Sequence, residues 1–182
     1  MITFYAPDDP HGHYSNFSRH VVDIYDRVWM TSEHPFQAMK FHPHRPDLMT
    51  KVFEAPTPGK SAKIGRDRSL PLRTDWDMRP VENLYGDIPE GRVPDLPQPD
   101  DKVNRAGVKA EPIFARTKDL FMFEVVKAKF TQHDDLRRHL LETGDHALVE
   151  DAQFDPYWGW GASKIGENKL GRILMMVRSV IR

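Results

Sequence analysis

The chain of 182 residues is long enough for one domain with a substantial core, and its formal net charge of −1 argues against a general nucleic-acid coat, which needs a basic stripe. Hydrophobic residues make up 39% of it, and no apolar run approaches the ~18 residues of a membrane span. Because it has no cysteine, disulfides, thiolate metal sites and a cysteine nucleophile are excluded, and we expect a protein of a reducing compartment such as the cytoplasm.

The first half of the chain combines short strands with helix. A strand is predicted in ITFYA, and a hairpin that turns near residues 25–27 is predicted in VVDIYDRVWM. A helix that begins at Thr31 or Ser32 follows in WMTSEHPFQAMKF, and after it comes a basic stretch, KSAKIGRDRSLPLR.

Residues of about 79 to 113 differ from the rest in composition. They are rich in proline and acidic residues, as in YGDIPEGRVPDLPQPDDKVN, and such a sequence buries little apolar surface. We interpret the segment as a loop insertion within a single domain that spans residues 1–182.

The second half is mainly helical. A helix that is apolar on most sides is predicted in RTKDLFMFEVVKAKFTQ, and a second in DDLRRHLLETG, with an Asp cap and an exit at Gly144. A short strand in HALVED precedes a last helix in NKLGRILMMVRSVIR, with Asn168 as its N-cap. These elements predict an α+β fold, mainly helical with short strands.

The helix of WMTSEHPFQAMKF carries a polar row. Glu33, Gln37 and Lys40 stand at i, i+4 and i+7, within one narrow sector of the helix. A solvated helix face is the commonest explanation of such a row. However, Trp29 and Phe36 lie around it, and a buried charged row must be matched by partners, as it is in many functional sites.

A second candidate site is the stretch VEDAQFDPYWGWGASKIGENKLG. Its carboxylate, aromatic, glycine and helix-capping positions are Glu150, Asp155, Trp158, Gly159, Gly161, Gly166 and Asn168. Tryptophan rings stack on a base or sugar, glycine permits close backbone approach, and the free N–H groups of a helix start bind phosphate. The pattern fits a nucleotide pocket and, equally well, a glycine-rich surface turn packed on tryptophan.

Two further clusters are built from basic or histidine side chains. Lys63, Arg66 and Arg68 are suited to holding a phosphate, although solvated surface charge is the commoner explanation for each of them. The histidine pairs in HGH and HPH have a chelating spacing but no matching carboxylate cluster nearby, so we expect neither a metal site nor a cofactor.

Most of these stretches occur together, and in this order, in one known family. A resemblance to the NADAR family, also called the YbiA-like family, is carried by YSNFS, WMTSEHPFQAMKF, IGRDRSLPLRTDW, AKFTQHDDLRRHLLETGDHALVEDAQFDPYWGWG and GENKLGRILMMVR. It covers nearly the whole chain apart from the insertion and implies the YbiA-like fold. The row of Glu33, Gln37 and Lys40 lies where the family has its active-site helix.

The resemblance implies an N-glycosidase that acts on a ribose-containing nucleotide. Family members remove ADP-ribose from guanine, including guanine in nucleic acid, or hydrolyse ribosylated pyrimidine intermediates of riboflavin synthesis. By similarity, Lys40 attacks or stabilises the anomeric carbon, while Asp155 or Glu33 is the general acid/base. The substrate contacts implied in the same way are Asn16, Phe17, Phe36, Gln37, Arg66, Glu150, Trp158, Gly159, Gly161, Gly166 and Asn168.

Two features depart from the family pattern. Trp160 stands where relatives usually carry a polar residue, and we expect its ring to narrow the pocket or to stack on a larger ligand. The insertion is expected to act as a lid or a partner-binding loop. The alternative function is an ADP-ribose or NAD sensor without catalysis, although binding alone would not need the acid/base set of Glu33, Lys40, Glu150 and Asp155.

Overall fold

The structure, a computed structural model, describes residues 1–79 and 113–182. The insertion predicted at about 79–113, together with its expected role as a lid or partner-binding loop, lies almost wholly outside the described residues. Within the described ranges, none of the helices combines the length and apolar character that a membrane crossing needs.

Four short strands form two small sheets in the described residues. They are β1 (Ile2–Phe4), β2 (Val22–Ile24), β3 (Arg27–Trp29) and β4 (Leu148–Glu150). The strands β1 and β4 pair in parallel, with Phe4 opposite Glu150, whereas β2 and β3 form an antiparallel hairpin. Tyr25 and Asp26 turn that hairpin at φ 56° and 58°, which confirms the predicted turn and is typical of a two-residue hairpin loop.

Four of the helices in the described residues fall in stretches predicted to be helical, whereas the two between residues 46 and 65 were not predicted. The helices of the described residues are α1 (Glu33–Met39), α2 (Pro46–Phe53), α3 (Pro58–Gly65), α4 (Thr117–Gln132), α5 (Asp134–Glu142) and α6 (Lys169–Val180). Gly144 leaves α5 at φ 54°, as expected of a helix exit. The predicted Asp cap of α5 is wrong by one residue, because His133 takes the N-cap position in an extended conformation and Asp134 is the first helical residue.

The helix α1 lies between the two hydrophobic clusters of the protein. Phe36 and Met39 pack into the main core, to which α4 and α6 contribute most, while Ala38 and Phe41 belong to a second cluster with Trp29. All seven residues of α1 are buried as a result. A solvated face is therefore excluded as the explanation of its polar row.

A lysine of α4 holds the loop of residues 13–18 in place. Lys129 is 1% exposed, and its Nζ donates to the carbonyl oxygens of His13 (2.6 Å) and Ser15 (2.9 Å) and to Ser18 Oγ (2.6 Å). The carbonyl oxygen of Asn16, in the middle of this loop, accepts the N–H of Glu33 at 3.1 Å. The loop thus sets where α1 begins.

The segment just before residue 80 is hydrogen-bonded to the start of α4. The N–H of Thr117 donates to the carbonyl oxygen of Met78 at 2.9 Å, and that of Lys118 donates to the carbonyl oxygen of Trp76 at 3.1 Å. The start of α4 is therefore joined directly to the segment that precedes residue 80.

Candidate active site

The first half of the polar row is a buried carboxyl–amide pair. Glu33 is 5% exposed, and its Oε1 accepts a hydrogen bond from Gln37 Nε2 at 2.7 Å. Burial raises the pKa of the Glu33 carboxyl, while the Gln37 hydrogen bond and the charge of Lys40 act in the opposite direction. Gln37 Oε1 is buried and has no hydrogen-bond partner among the described residues.

Lys40, directly after the last residue of α1, completes the row. Its Nζ donates to the carbonyl oxygen of Gly65 at 2.9 Å and lies 5.8 Å from the ring centroid of Phe36 and 5.7 Å from that of Trp76. Burial lowers the pKa of Lys40 to about 8, although the carboxylate of Glu33 partly offsets the effect. A neutral amine, which nucleophilic attack requires, is therefore accessible near neutral pH.

Asp155 reaches the site on the loop after β4. Its Oδ1 accepts the N–H groups of Tyr157 at 3.0 Å and Trp158 at 2.9 Å, a local turn that fixes the carboxylate. The Trp158 ring in turn packs edge-on against Phe36, with centroids 5.3 Å apart. These contacts bring the second predicted segment onto α1.

Glu150 is the last residue of β4, and it adds a third carboxyl group. Its Oε2 is buried and has no hydrogen-bond partner among the described residues. The pKa of Glu150 is raised to about 8, mainly by burial and also by the nearby negative charges of Asp155 and Glu33, while Arg66 acts against them. The structure thus brings the three carboxyl groups of Glu33, Glu150 and Asp155 within electrostatic range of one another, and Lys40 within range of Glu33.

Arg66 follows the end of α3, and its side chain is exposed. Its positive charge acts on Glu33, Lys40 and Glu150. The guanidinium is therefore an exposed cation at the edge of the carboxyl cluster, available to an anionic group that enters the site.

The side chain of Asn16, a predicted substrate contact, serves the scaffold instead. Asn16 is 5% exposed; its Oδ1 accepts from Ser32 Oγ at 3.1 Å, and its Nδ2 lies 2.9 Å from Met122 Sδ. Its amide is thus used in fixing the start of α1, and the expected contact with ribose hydroxyls is corrected. Its neighbour Phe17 is half-buried.

The predicted phosphate-binding amides at the start of α6 are not free. The N–H of Gly166 donates to Trp160 O at 2.9 Å, and that of Asn168 donates to Gly159 O at 3.0 Å. Glu167 donates in the same way to Pro156 O at 2.7 Å. The preceding loop has folded back onto the helix start, so the expectation that Gly166 and Asn168 bind phosphate through their amides is wrong.

Asn168 supports the site in a different way. It occupies the N-cap position of α6 in a left-handed conformation, φ 48°, but its side chain does not cap the helix. Its Oδ1 accepts the N–H of Glu150 at 3.0 Å, and its Nδ2 donates to Leu148 O at 2.9 Å. Gly159 approaches from the same side, and a Cβ at this position would stand 2.6 Å from Glu150 O. The backbone of Glu150 is held on several sides.

Trp160 does not offer its ring to a ligand. The residue is 8% exposed, its Nε1 donates to Asp151 Oδ1 at 2.5 Å, and Lys164 Nζ lies 5.1 Å from the ring centroid. The expectation that this ring stacks on a larger ligand is wrong, because the ring is already packed within its own loop.

Sequence reasoning missed Gly65 and Trp76. Gly65 supplies the carbonyl that receives Lys40, and Trp76 forms one wall beside that amine while stacking on Phe121 at 5.8 Å. Trp76 stands in TDW of the quoted stretch IGRDRSLPLRTDW, but no periodicity links that segment to α1. The glycine of KIG, which comes just before Arg66, is the signal that was available for Gly65.

The histidine pair of HGH belongs to an aromatic cluster. His13 packs against Tyr14 with centroids 4.2 Å apart and against His139 at 5.2 Å. The pKa of His13 is lowered to about 4, mainly by burial and also by the neighbouring His139 and Lys129. Among the described residues, no group of three or more histidine, aspartate or glutamate side chains is arranged to hold a metal ion.

Gly65→Ala is expected to lower kcat/KM by roughly 10- to 100-fold while the protein stays folded. A Cβ at Gly65 would stand 1.8 Å from Gln37 Oε1 and 2.8 Å from Gln37 Cδ, so the Gln37 side chain must move and release Glu33. Steady-state kinetics and circular dichroism of the variant measure the two effects separately.

Gly59→Ala is the matched control for this prediction. Gly59 lies on the same helix, α3, and a Cβ there would meet only Thr57 Oγ1 within 4 Å, at 3.9 Å. Its activity should equal that of the wild type. Equal activity of both variants would contradict a role for the Gln37–Glu33 contact.

Glu150→Gln is expected to stabilise the protein at alkaline pH. Because the pKa of Glu150 rises from the ordinary 4.5 to about 8 on folding, its contribution to stability is fully present below pH 4.5 and is lost as the pH rises through 8. Glutamine cannot ionise and suffers no such loss. Thermal unfolding should give equal Tm values near pH 5 and, near pH 9, a Tm of the variant at least about 3 °C above the wild type.

Glu54→Gln, an exposed position after α2, should leave Tm unchanged at either pH. A wild-type stability that does not fall between pH 5 and pH 9 relative to Glu150→Gln would contradict the burial of a protonated carboxyl at this position.

Comparison with known proteins gives consistent matches. A family model described as the NADAR domain matches residues 93–182. N-glycosidase Npun_R5314 of Nostoc punctiforme is 35% identical over 182 residues, which cover 100% of this chain and 92% of that protein. N-glycosidase YbiA of Escherichia coli is 32% identical over 98% of this chain and 86% of that protein.

A more distant relative and a solved structure add to these matches. Riboflavin biosynthesis protein PYRR, chloroplastic, of Zea mays is 30% identical over 100% of this chain, which spans 25% of that longer protein. The NMR structure of the Escherichia coli protein YbiA superposes with a TM-score of 0.69 at 32% identity, covering 98% of this chain and 83% of that one. The likeness in fold therefore accompanies the likeness in sequence.

Proposed function

The chain belongs to the NADAR family, and we propose that it is a hydrolase that cleaves the N-glycosidic bond of a ribose-containing nucleotide. The observation that carries the proposal is the half-buried amine of Lys40, with its lowered pKa, beside the carboxyl group of Glu33, on which the charge of Asp155 also acts. The names of its relatives, N-glycosidases in bacteria, support the same reaction class.

In the proposed mechanism Lys40 attacks as a neutral amine. Cleavage of an N-glycosidic bond builds positive charge at C1′, which an ammonium group would repel and which carboxylates attract. The Nζ of Lys40 bonds to C1′ as the bond to the base nitrogen breaks with its electron pair, and Asp155 or Glu33 takes the proton that Nζ releases. The same carboxyl group returns that proton to O4′ as the sugar ring opens, which leaves a Schiff base between Nζ and C1′. Water adds to C1′, the C1′–Nζ bond breaks to free the sugar and the amine, and the proton released passes to Asp155 or Glu33.

The aromatic residues and the arginine are proposed to bind the substrate. Trp158 and Phe36, in edge contact with each other, offer a surface on which a base stacks. Arg66 is exposed beside the carboxyl cluster and is suited to the phosphate of the nucleotide, since a guanidinium binds phosphate in a bidentate way.

Two substrates fit this chemistry. A ribosylated pyrimidine intermediate of riboflavin synthesis is supported by the relative named a riboflavin biosynthesis protein. ADP-ribosylated guanine, free or in nucleic acid, is the substrate of other members of the family that the chain resembles. The same amine and carboxyl groups act on C1′ of ribose in both.

The test is to incubate the purified protein separately with an ADP-ribosylated guanine oligonucleotide and with the ribosylamino-pyrimidine phosphate, and to follow released sugar by mass spectrometry. We expect release from one of the two and loss of that release in Asp155→Asn with retained binding. The alternative function, a sensor of ADP-ribose or NAD, predicts binding by calorimetry without turnover in the wild type, and that result would overturn the proposal.

A further inference from the structure

Three carboxyl groups converge on the site, and their hydrogen bonds differ. Asp155 Oδ1 accepts two backbone N–H groups, from Tyr157 and Trp158. Glu33 Oε1 accepts the amide of Gln37. Glu150 alone of the three has a buried carboxyl oxygen, Oε2, that meets no donor in the part of the chain that the structure describes.

A carboxylate oxygen in that position would be costly to keep charged. Burial without a donor disfavours the ionised form, and the same oxygen is tolerated when the group is neutral. The charges that face Glu150 come from three elements: Asp155 from the loop after β4, Glu33 from α1 and Arg66 from the end of α3. Two of the three are negative, and together with burial they hold the proton on Glu150 at neutral pH, since its pKa is about 8.

The position of Glu150 is fixed, as a proton donor requires. Its N–H donates to Asn168 Oδ1 at 3.0 Å, and its carbonyl oxygen accepts the N–H of Trp160 at 3.1 Å. Its strand, β4, pairs with β1 on one side. The residue as a whole is only partly buried.

We propose that Glu150 is the catalytic acid that protonates the leaving base nitrogen. The inference rests on the proposed N-glycosidase function and goes beyond it by separating the proton donor from Glu33 and Asp155, whose carboxylates accept protons. When the C1′–N bond breaks, its electron pair stays on the nitrogen and takes the proton of Glu150. Asp155 or Glu33 receives the proton released when water adds, and exchange with solvent restores the proton of Glu150.

The environments of these groups support that division of labour. A pair of nearby carboxyl groups performs acid and base chemistry at one pH when the surroundings keep one neutral and the other ionised. Here the surroundings of the two carboxyl groups differ: Glu150 Oε2 is buried without a donor among the described residues, whereas Asp155 Oδ1 accepts two N–H groups.

The first measurement needs no substrate. Carbon-13 NMR of the glutamate side-chain carboxyl groups, with Glu150 assigned from the signal missing in Glu150→Gln, should show it protonated at pH 7 and titrating near pH 8. A Glu150 that is already ionised at pH 7 would overturn the proposal, whatever reaction the protein catalyses.

The second measurement uses whichever substrate the wild type cleaves. Glu150→Gln should lower kcat by about 10²- to 10³-fold and remove the fall in rate that the wild type shows above about pH 8. Glu150→Ala should regain at least about tenfold of its lost rate when formic acid is added, in proportion to the protonated form. A merely structural glutamate would give neither the changed pH profile nor the rescue, and circular dichroism confirms that both variants fold.

These kinetic results distinguish a failure of the role assigned to Glu150 from a failure of the N-glycosidase proposal. A wild type that is active while Glu150→Gln keeps its rate and pH profile overturns the assignment of the acid and leaves the N-glycosidase proposal standing. A wild type that releases no sugar from either probe overturns the N-glycosidase proposal and the acid role with it. Glu54→Gln, exposed and distant in sequence, is the control and should match the wild type.

Discussion

Lys40→Met is expected to lower kcat/KM by about 10³-fold or more without unfolding the protein. Methionine matches the length of the lysine stem and keeps its packing beside Phe36 and Trp76, but it has no amine to attack C1′. Little stability is at risk, because the one hydrogen bond lost is to the carbonyl oxygen of Gly65. Kinetics with the cleaved substrate and thermal unfolding measure the two effects.

Trapping of a covalent intermediate distinguishes nucleophilic attack by Lys40 from a purely electrostatic role of its charge. Borohydride reduces a Schiff base, so wild type treated during turnover should gain the mass of the reduced sugar at Lys40, and Lys40→Met should gain none. Lys51→Met, at an exposed position of α2, is the control and should behave as the wild type. Wild-type turnover in Lys40→Met would eliminate the attack mechanism.

Lys129→Met is expected to lower the free energy of unfolding by about 3 kcal/mol. The substitution conserves the buried stem in α4 but removes three charge-assisted hydrogen bonds, to the carbonyl oxygens of His13 and Ser15 and to the hydroxyl of Ser18. Chemical denaturation measures the loss, which corresponds to a fall in Tm of roughly 10 °C for a chain of this size.

The same substitution should also reduce activity, since the loop held by Lys129 sets the start of α1 through Asn16 and Glu33. Lys127→Met lies on the same helix at an exposed position and should change neither stability nor rate. If the two variants were equally stable, Lys129 could not be the anchor of that loop.

Much of the fold follows from local patterns. The hairpin needed two residues with positive φ, and Tyr25 and Asp26 provide them between two β-rich runs. The helices α4 and α6 carry apolar periodicity that only burial explains, and both contribute to the main core. The polar row of α1 was predictable as buried, because its apolar neighbours leave that helix no face for water.

Contacts between distant segments were not predictable in the same way. A helix start and a glycine-rich loop indicate free amides, but the loop before α6 folds back and its carbonyl oxygens take those amides. Asparagine is likewise common at helix N-caps. The side chain of Asn168 instead hydrogen-bonds to β4, because its left-handed backbone turns it toward that strand. Competition between partners far apart in sequence decides such cases, and local propensity carries no information about it.

The hydrogen bonds that join Thr117 to Met78 and Lys118 to Trp76 make this junction a permissive insertion point. Because the scaffold itself brings the two ends together, the length of chain between them has little influence on the free energy of folding; doubling a loop costs only about 0.6 kcal/mol. Evolution can therefore lengthen, shorten or exchange the intervening sequence while α1, β4 and the carboxyl cluster stay in register. The junction is also the natural place to introduce a reporter or an affinity tag within the chain.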